Sequence, residues 1–216
     1  MAPVKIYGIP ASTCVARVLT CLEEKGVEYE IVPINMAAGE HKRHPFLAKN
    51  PFGQIPAVEI DNLTLFESRA INGVLTYKYK DIGTDLLHHN NFEERASVAV
   101  WSEVESQQFN PVISPIIYQH FIIPMHGGTA DQSVIDANVE KLGKVLDVYE
   151  ERLSKNKYLA GNFYSLADLH HIPFTHYFMF TPWADVINSR PHVKAWWEDI
   201  SSRPATVKVS QGMKFG

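Results

Sequence analysis

The first 34 residues constrain the fold more than any other stretch of the chain. Residues 3–7 (PVKIY) alternate in polarity and read as a strand. Residues 8–11 (GIPA) carry turn chemistry. From Ser12 to Lys25 the apolar set Val15, Val18, Leu19 and Leu22 follows helical spacing, and Gly26 stands where a helix stops. Residues 28–34 (EYEIVPI) read as a second strand. A helix placed between two strands in so few residues points to a parallel βαβ crossover.

The rest of the chain divides around a polar segment. Residues 39–49 read as a loose helix, 56–60 and 63–66 as two strands of a hairpin turning at Asp61-Asn62, and 67–79 as a helix. The order βαβ, helix, ββ, helix matches a thioredoxin-like layer, so residues 1–80 are expected to form an α/β domain. Residues 81–91 are expected to link it to an all-α domain at 92–216. There the pattern predicts a long helix over 92–120, kinked at Pro111 and Pro115, and a loop at 121–130. An amphipathic helix follows at 131–153, then a buried one at 165–180, and a final helix at 192–202. Ser165 and Asp168 fit a capping box, with Tyr164 and Leu169 as its hydrophobic staple. Removing Asp168 from such a cap costs about 1 kcal/mol.

Composition excludes several classes of function. Hydrophobic residues make up 45% of the 216, enough for a packed core. The net charge of −4 comes without a basic stripe, which argues against nucleic acid. No apolar run approaches the roughly 20 residues that span a bilayer, and MAPVKIYG lacks a signal-peptide pattern. Cys14 and Cys21 lie seven apart on one helix, about 10 Å along its axis, too far for a disulfide. These features predict a cytosolic protein. The paired histidines His41/His44, His88/His89 and His170/His171 lack a metal-binding frame, so no metal is expected, and they read as solvated or helix-surface side chains.

Three junctions carry candidate chemistry. Ser12 opens a helix after a strand and turn. It reads as an N-cap, or as a donor to a bound thiolate. A free thiol ionises near pH 8.5, and lowering that by about two units takes roughly 2.7 kcal/mol. A helix N-terminus and one aimed hydroxyl can supply this. Gln54-Ile55-Pro56 is either an ordinary turn or, with a cis proline, a place where Ile55 presents its N–H and C=O to an extended peptide. Glu67-Ser68, at a strand-to-helix step, suits a ligand carboxylate and ammonium, or only starts a helix. Loops of one such layer converge at one end of its sheet. Arg17 reads as structural, paired with a carboxylate of its own domain.

The strings ASTCVARVL (11–19), GEHK (39–42), NPFGQIPA (50–57), LFESRAI (65–71), KVLDVYEERL (144–153) and KYLAGNFYSLADLHHIP (157–173) resemble the glutathione transferases, and among them the plant phi class. The resemblance covers nearly the whole chain. It implies a cytosolic homodimer that uses glutathione as co-substrate, needs no other cofactor, and conjugates it to small hydrophobic electrophiles in detoxification. It makes Ser12 the thiol-activating residue and places His41 and Lys42 at the glycine carboxylate. Gln54, Ile55 and the cis Pro56 then meet the cysteinyl backbone, and Glu67 and Ser68 the γ-glutamyl end. Pro10, Met36, Ile117 and Phe178 become the candidate pocket for the electrophile, and Phe52 an apolar plug for a partner chain. Some relatives that handle flavonoids carry alanine at the serine position and a cysteine two places later. This chain keeps Ser12, which favours conjugation, with peroxidase activity at its side. The alternative is a non-catalytic carrier of flavonoid-like metabolites. Cys14 reads as a small buried apolar side chain.

Overall fold

The computed structural model describes residues 3–214. The chain forms two compact units. One holds the residues up to Asp85 together with those from Val207 on, and the other runs from Leu86 to Thr206.

In the first unit β1 (Val4–Gly8), α1 (Thr13–Lys25) and β2 (Tyr29–Pro33) form the crossover, with β1 and β2 parallel and Val4 opposite Tyr29. β3 (Ala57–Ile60) and β4 (Leu63–Leu65) complete a mixed sheet in the order β2-β1-β3-β4, and α2 (Ser68–Lys78) packs against α1. Val15, Val18, Leu19 and Leu22 of α1 are all buried, each worth about 2 kcal/mol of transfer energy. Gly26 closes α1 in the left-handed conformation, its N–H returning to Glu23 O. The expected loose helix at 39–49 is instead two short 3₁₀ turns, Glu40–Lys42 and Phe46–Ala48. Pro45, after a cis bond from His44, separates them.

The second unit opens on α3 (Phe92–Val104), capped by Asn91, whose Oδ1 accepts from the N–H groups of Glu93 and Glu94. The helical course continues through α4 (Asn110–Ile117) to α5 (Ile123–Met125), past the expected end at 120. It is interrupted by two π-helical stretches, Glu105–Phe109 and Tyr118–Ile122. Their placement has a local cause. Pro111 and Pro124 would crowd the carbonyls four residues back, Gln107 and His120, and both of those lie inside the wide turns. α6 (Gln132–Leu153) buries Ile135, Leu142, Leu146, Tyr149 and Leu153 of its predicted stripe, with Val139 half-buried.

The single helix expected at 165–180 is two, α7 (Leu166–Leu169) and α8 (Ile172–Phe178). Pro173 has no N–H to return to Leu169 and its ring excludes that carbonyl, so the helix restarts. The break turns His170 and His171 inward rather than to the surface. His171 Nδ1 lies 2.7 Å from Ala167 O and its Nε2 lies 2.9 Å from Tyr149 Oη, within rings of Phe109 and Trp196. After α9 (Asp185–Asn188) and α10 (Pro191–Ser201) comes a further helix, α11 (Pro204–Ser210), so 192–202 is not the last. The segment from Val207 also differs from the 92–216 expectation, because its contacts belong to the first unit. Lys208 Nζ, 2.7 Å from Glu23 Oε1, is one of them.

The capping box at Ser165 is present, and its acid does more than cap. Asp168 is fully buried. One carboxylate oxygen accepts from Leu159 N at 3.0 Å and Trp196 Nε1 at 2.9 Å; the other accepts from Ser165 N at 3.0 Å and Ser165 Oγ at 3.2 Å. Asp168 therefore ties α7 to α10 and to the 159 loop. Burial pushes its carboxyl from 3.8 up to about 6, against the pull of those donors. Because the folded value is the higher one, its contribution to stability declines as pH rises through this window. Asp168→Ala is expected to cost about 3 kcal/mol or more in urea unfolding, well above a simple cap, since several buried donors lose their acceptor. Asp168→Asn is expected to flatten the stability–pH curve between 3.8 and about 6 relative to the parent.

Candidate active site

Ser12 is the N-cap of α1, with extended backbone and a half-buried side chain. Its N–H closes the preceding turn on Ile9 O at 3.1 Å. Its Oγ accepts from Val15 N at 3.4 Å, a long cap bond. That contact uses an oxygen lone pair. Among the described residues no acceptor takes the hydroxyl proton. Ser12 thus brings a free O–H donor to the positive end of a 13-residue helix.

The second junction is built around Asn50, which is 2% exposed. Its Nδ2 donates to Gln54 O at 2.7 Å and its Oδ1 accepts from Phe52 N at 3.0 Å. The sequence reading did not single it out, although an asparagine before Pro-Phe-Gly is an Asx-turn signal. Gly53 is required in the same turn. Its φ is +59°, and a Cβ there would lie 2.7 Å from His41 O. This close approach sets the turn against the His41-Lys42 pair. Lys42 Nζ donates to Phe52 O at 3.2 Å, and His41 Nδ1 is buried without a hydrogen-bond partner among the described residues. Ile55–Pro56 is cis, and within the described residues no hydrogen bond takes up the Ile55 N–H or C=O. The Gln54 side chain is exposed.

The third junction is Glu67-Ser68. Glu67 holds φ +66°, a costly conformation for a residue with a Cβ, and its side chain is exposed. Ser68 is buried, and its Oγ accepts from Arg17 Nη1 at 2.8 Å. That leaves the Ser68 proton with no acceptor among the described residues. Arg17 is fully buried, and the same Nη1 lies 3.6 Å from Cys14 Sγ. Arg17 thereby joins the starts of α1 and α2, a role not read from the sequence. Cys14 is only half-buried, so it is not the enclosed apolar side chain expected of it. Its place on the first helical turn beside a guanidinium explains the difference.

The remaining candidates divide between the two units. Pro10 and Met36 are half-buried in the first unit, where Met36 packs with Tyr7 and Ile55 on Ile34, Phe46 and Ala57. Ile117 and Phe178 are buried in the second unit.

Two family models cover this geometry. The glutathione S-transferase N-terminal domain matches residues 2–74 and the glutathione S-transferase C-terminal domain matches residues 109–204. Glutathione S-transferase F13 of Arabidopsis thaliana is 56% identical over 209 residues, 97% of this chain and 95% of that protein. The chain belongs to the glutathione S-transferases, within the plant phi class. The crystal structure of glutathione transferase F7 from Populus trichocarpa superposes with a TM-score of 0.97 at 63% identity, covering 98% of this chain and all of that one. Maize glutathione S-transferase I in complex with an atrazine glutathione conjugate gives 0.92 at 51% identity, with 98% of each chain covered. As a transferase of this family the enzyme takes glutathione as its co-substrate.

The Asn50 turn provides a direct check on this architecture. Asn50→Ala removes two hydrogen bonds from a buried amide and is expected to cost about 2 kcal/mol in urea unfolding. It should raise the KM for glutathione more than it lowers kcat, because the turn next to Ile55 loses its brace. Steady-state kinetics on the folded variant check this.

Proposed function

We propose that the Ser12 hydroxyl donates a hydrogen bond to the sulfur of bound glutathione and that the thiolate so stabilised attacks small hydrophobic electrophiles. The observation that carries this reading is the unclaimed Ser12 proton at the N-terminus of α1. The reaction needs no base that stays charged. Glutathione loses its thiol proton to solvent, sulfur forms the new bond to carbon, and the leaving group departs with its electron pair. The enzyme's contribution is a lower thiol pKa and close placement of the two reactants.

In the same reading the tripeptide lies extended across the three junctions. Ile55 pairs with the cysteinyl backbone as an added strand would, and Pro56 and Gln54 shape that turn. Glu67 takes the γ-glutamyl ammonium, and the Ser68 hydroxyl, held by Arg17, donates to its carboxylate. His41 and Lys42 face the glycine carboxylate. The unpartnered atoms His41 Nδ1, Ile55 N and Ile55 O support this order. A thiolate so held also reduces organic hydroperoxides. Sulfur takes one oxygen, the alcohol leaves, and a second glutathione releases water and the disulfide.

Three further assignments belong to this proposal. Detoxification follows from a broad electrophile range. The two free cysteines support the cytosol, and among the described residues no helix is long and apolar enough to cross a membrane. A homodimer is supported by Phe52, 64% exposed, and by a shallow groove along Ala99, Val100, Val104 and Gln107 on the helical course. Phe52→Ser is expected to shift the sedimentation equilibrium toward monomer.

Ser12→Ala tests the central claim. Removing the donor is expected to lower kcat with an aromatic halide roughly 25-fold at pH 7, the fall in ionised thiol when its pKa returns by about two units to about 8.5. The deficit should shrink as pH rises, since the thiol then ionises unaided. A variant with parental turnover and an unchanged pH midpoint would show that residue 12 does not hold the thiolate.

A further inference from the structure

The C-terminal segment meets the first unit beside the turn that carries Ser12. α11 ends in a turn in which Gly212 N donates to Val209 O at 3.0 Å and Met213 N to Ser210 O at 3.1 Å. Val209 and Met213, on either side of Gly212, are both buried. Lys208 holds the segment to Glu23 on the last turns of α1, and Glu23 also accepts from Tyr29 Oη at 2.6 Å. At Gly212 the backbone lies directly on Pro10. A Cβ at residue 212 would stand 2.9 Å from Pro10 Cβ, well inside the roughly 3.5–4.0 Å at which carbons pack.

Pro10 is two residues before Ser12, inside the turn that Ser12 N closes on Ile9 O. Its ring fixes the backbone φ and cannot rotate aside, so pressure on the ring passes into the turn. We propose that the C-terminal segment is a strap that positions the Ser12 turn, with Gly212 as its contact residue. Gly212 is a positioning residue: it touches Pro10, not the substrate. This inference rests on the reading of Ser12 as the thiolate donor.

A side chain at 212 has two ways out. The turn moves, or the strap lifts against the burial of Val209 and Met213. Either way Pro10 loses its seat and the Ser12 hydroxyl loses its aim. Misplacement of about 1 Å at a reacting group costs up to about 100-fold, so a shift of a fraction of that is expected to cost roughly 10-fold.

Gly212→Ala in the full-length enzyme tests this. The expected result is a roughly 10-fold fall in kcat, with the pH midpoint moved upward in the direction of Ser12→Ala and KM for glutathione little changed. A contact that served stability alone would lower the melting temperature and leave the pH midpoint in place. Pro10→Gly removes the contact from the other side without crowding and should shift the midpoint in the same direction. In the double variant the added methyl no longer meets a ring, so the two losses should be less than additive. Parental kcat and midpoint in folded Gly212→Ala overturn the proposal, as do losses that simply add. Should Gly212→Ala not fold, a parental midpoint in Pro10→Gly overturns it alone. Ser12→Ala separates the two levels: if it keeps the parental midpoint, the donor reading fails and the strap with it. If Ser12→Ala moves the midpoint while folded Gly212→Ala does not, only the strap fails.

Discussion

A hydroxyl at a helix N-terminus can do two things at once. Its oxygen accepts a backbone N–H, which satisfies one of the orphan donors of the first turn. Its proton remains available to a third party. At Ser12 the cap bond to Val15 N is long, at 3.4 Å, and the proton has no acceptor among the described residues. The same atom that starts α1 is therefore left as a donor, and the helix dipole adds to its preference for an anion. The crossover β1-α1-β2 holds that atom in place. The buried face of α1 fixes the helix, the parallel strands fix its origin, and the turn at Ile9–Ser12 fixes the cap.

The other two junctions obey the same logic with different chemistry. At Glu67-Ser68 a buried guanidinium takes the serine oxygen and leaves its proton without an acceptor among the described residues. At Ile55 a turn braced by Asn50 leaves backbone groups without partners. In each case an interior hydrogen bond occupies the group's other valence or fixes the backbone beside it. Unmet donors and acceptors normally cost about 1–3 kcal/mol when buried, so leaving several of them at one end of a sheet points to a ligand that supplies the missing partners.

What the sequence revealed was local. The N-cap at Ser12, the stop at Gly26, the hairpin and the capping box at Ser165 are each decided within a few residues, and each was legible. The misreadings came from effects at longer range. The helix expected at 165–180 divides because Pro173 excludes a carbonyl four residues back, and the division turns His171 into the core. The course over 92–125 stays helical past three prolines and widens twice. Arg17 reaches Ser68 at the start of the next helix, a contact that no spacing in the chain announces. Asp168 gathers donors from α10 and from the 159 loop, which no spacing in the chain announces. The path of the segment from Val207 back to the first unit is of the same kind: its only local trace is a glycine at 212.

The choice of serine at residue 12 also bounds the chemistry. A hydroxyl stabilises a neighbouring thiolate but cannot form a disulfide with it, so sulfur of the co-substrate is the only nucleophile that the Ser12 position offers. Conjugation and hydroperoxide reduction both proceed through that sulfur. Thiol–disulfide exchange through an enzyme cysteine would need a thiol at the same point on the turn. The nearest one, Cys14, is two residues further along the helix with its sulfur against Arg17. Ser12 is the extended N-cap and Cys14 the second residue of α1, so the two side chains leave the chain from different backbone geometries. The Ser12 proton is left without an acceptor among the described residues, whereas the Cys14 sulfur lies 3.6 Å from Arg17 Nη1, so oxygen at residue 12 and sulfur at residue 14 are not interchangeable donors.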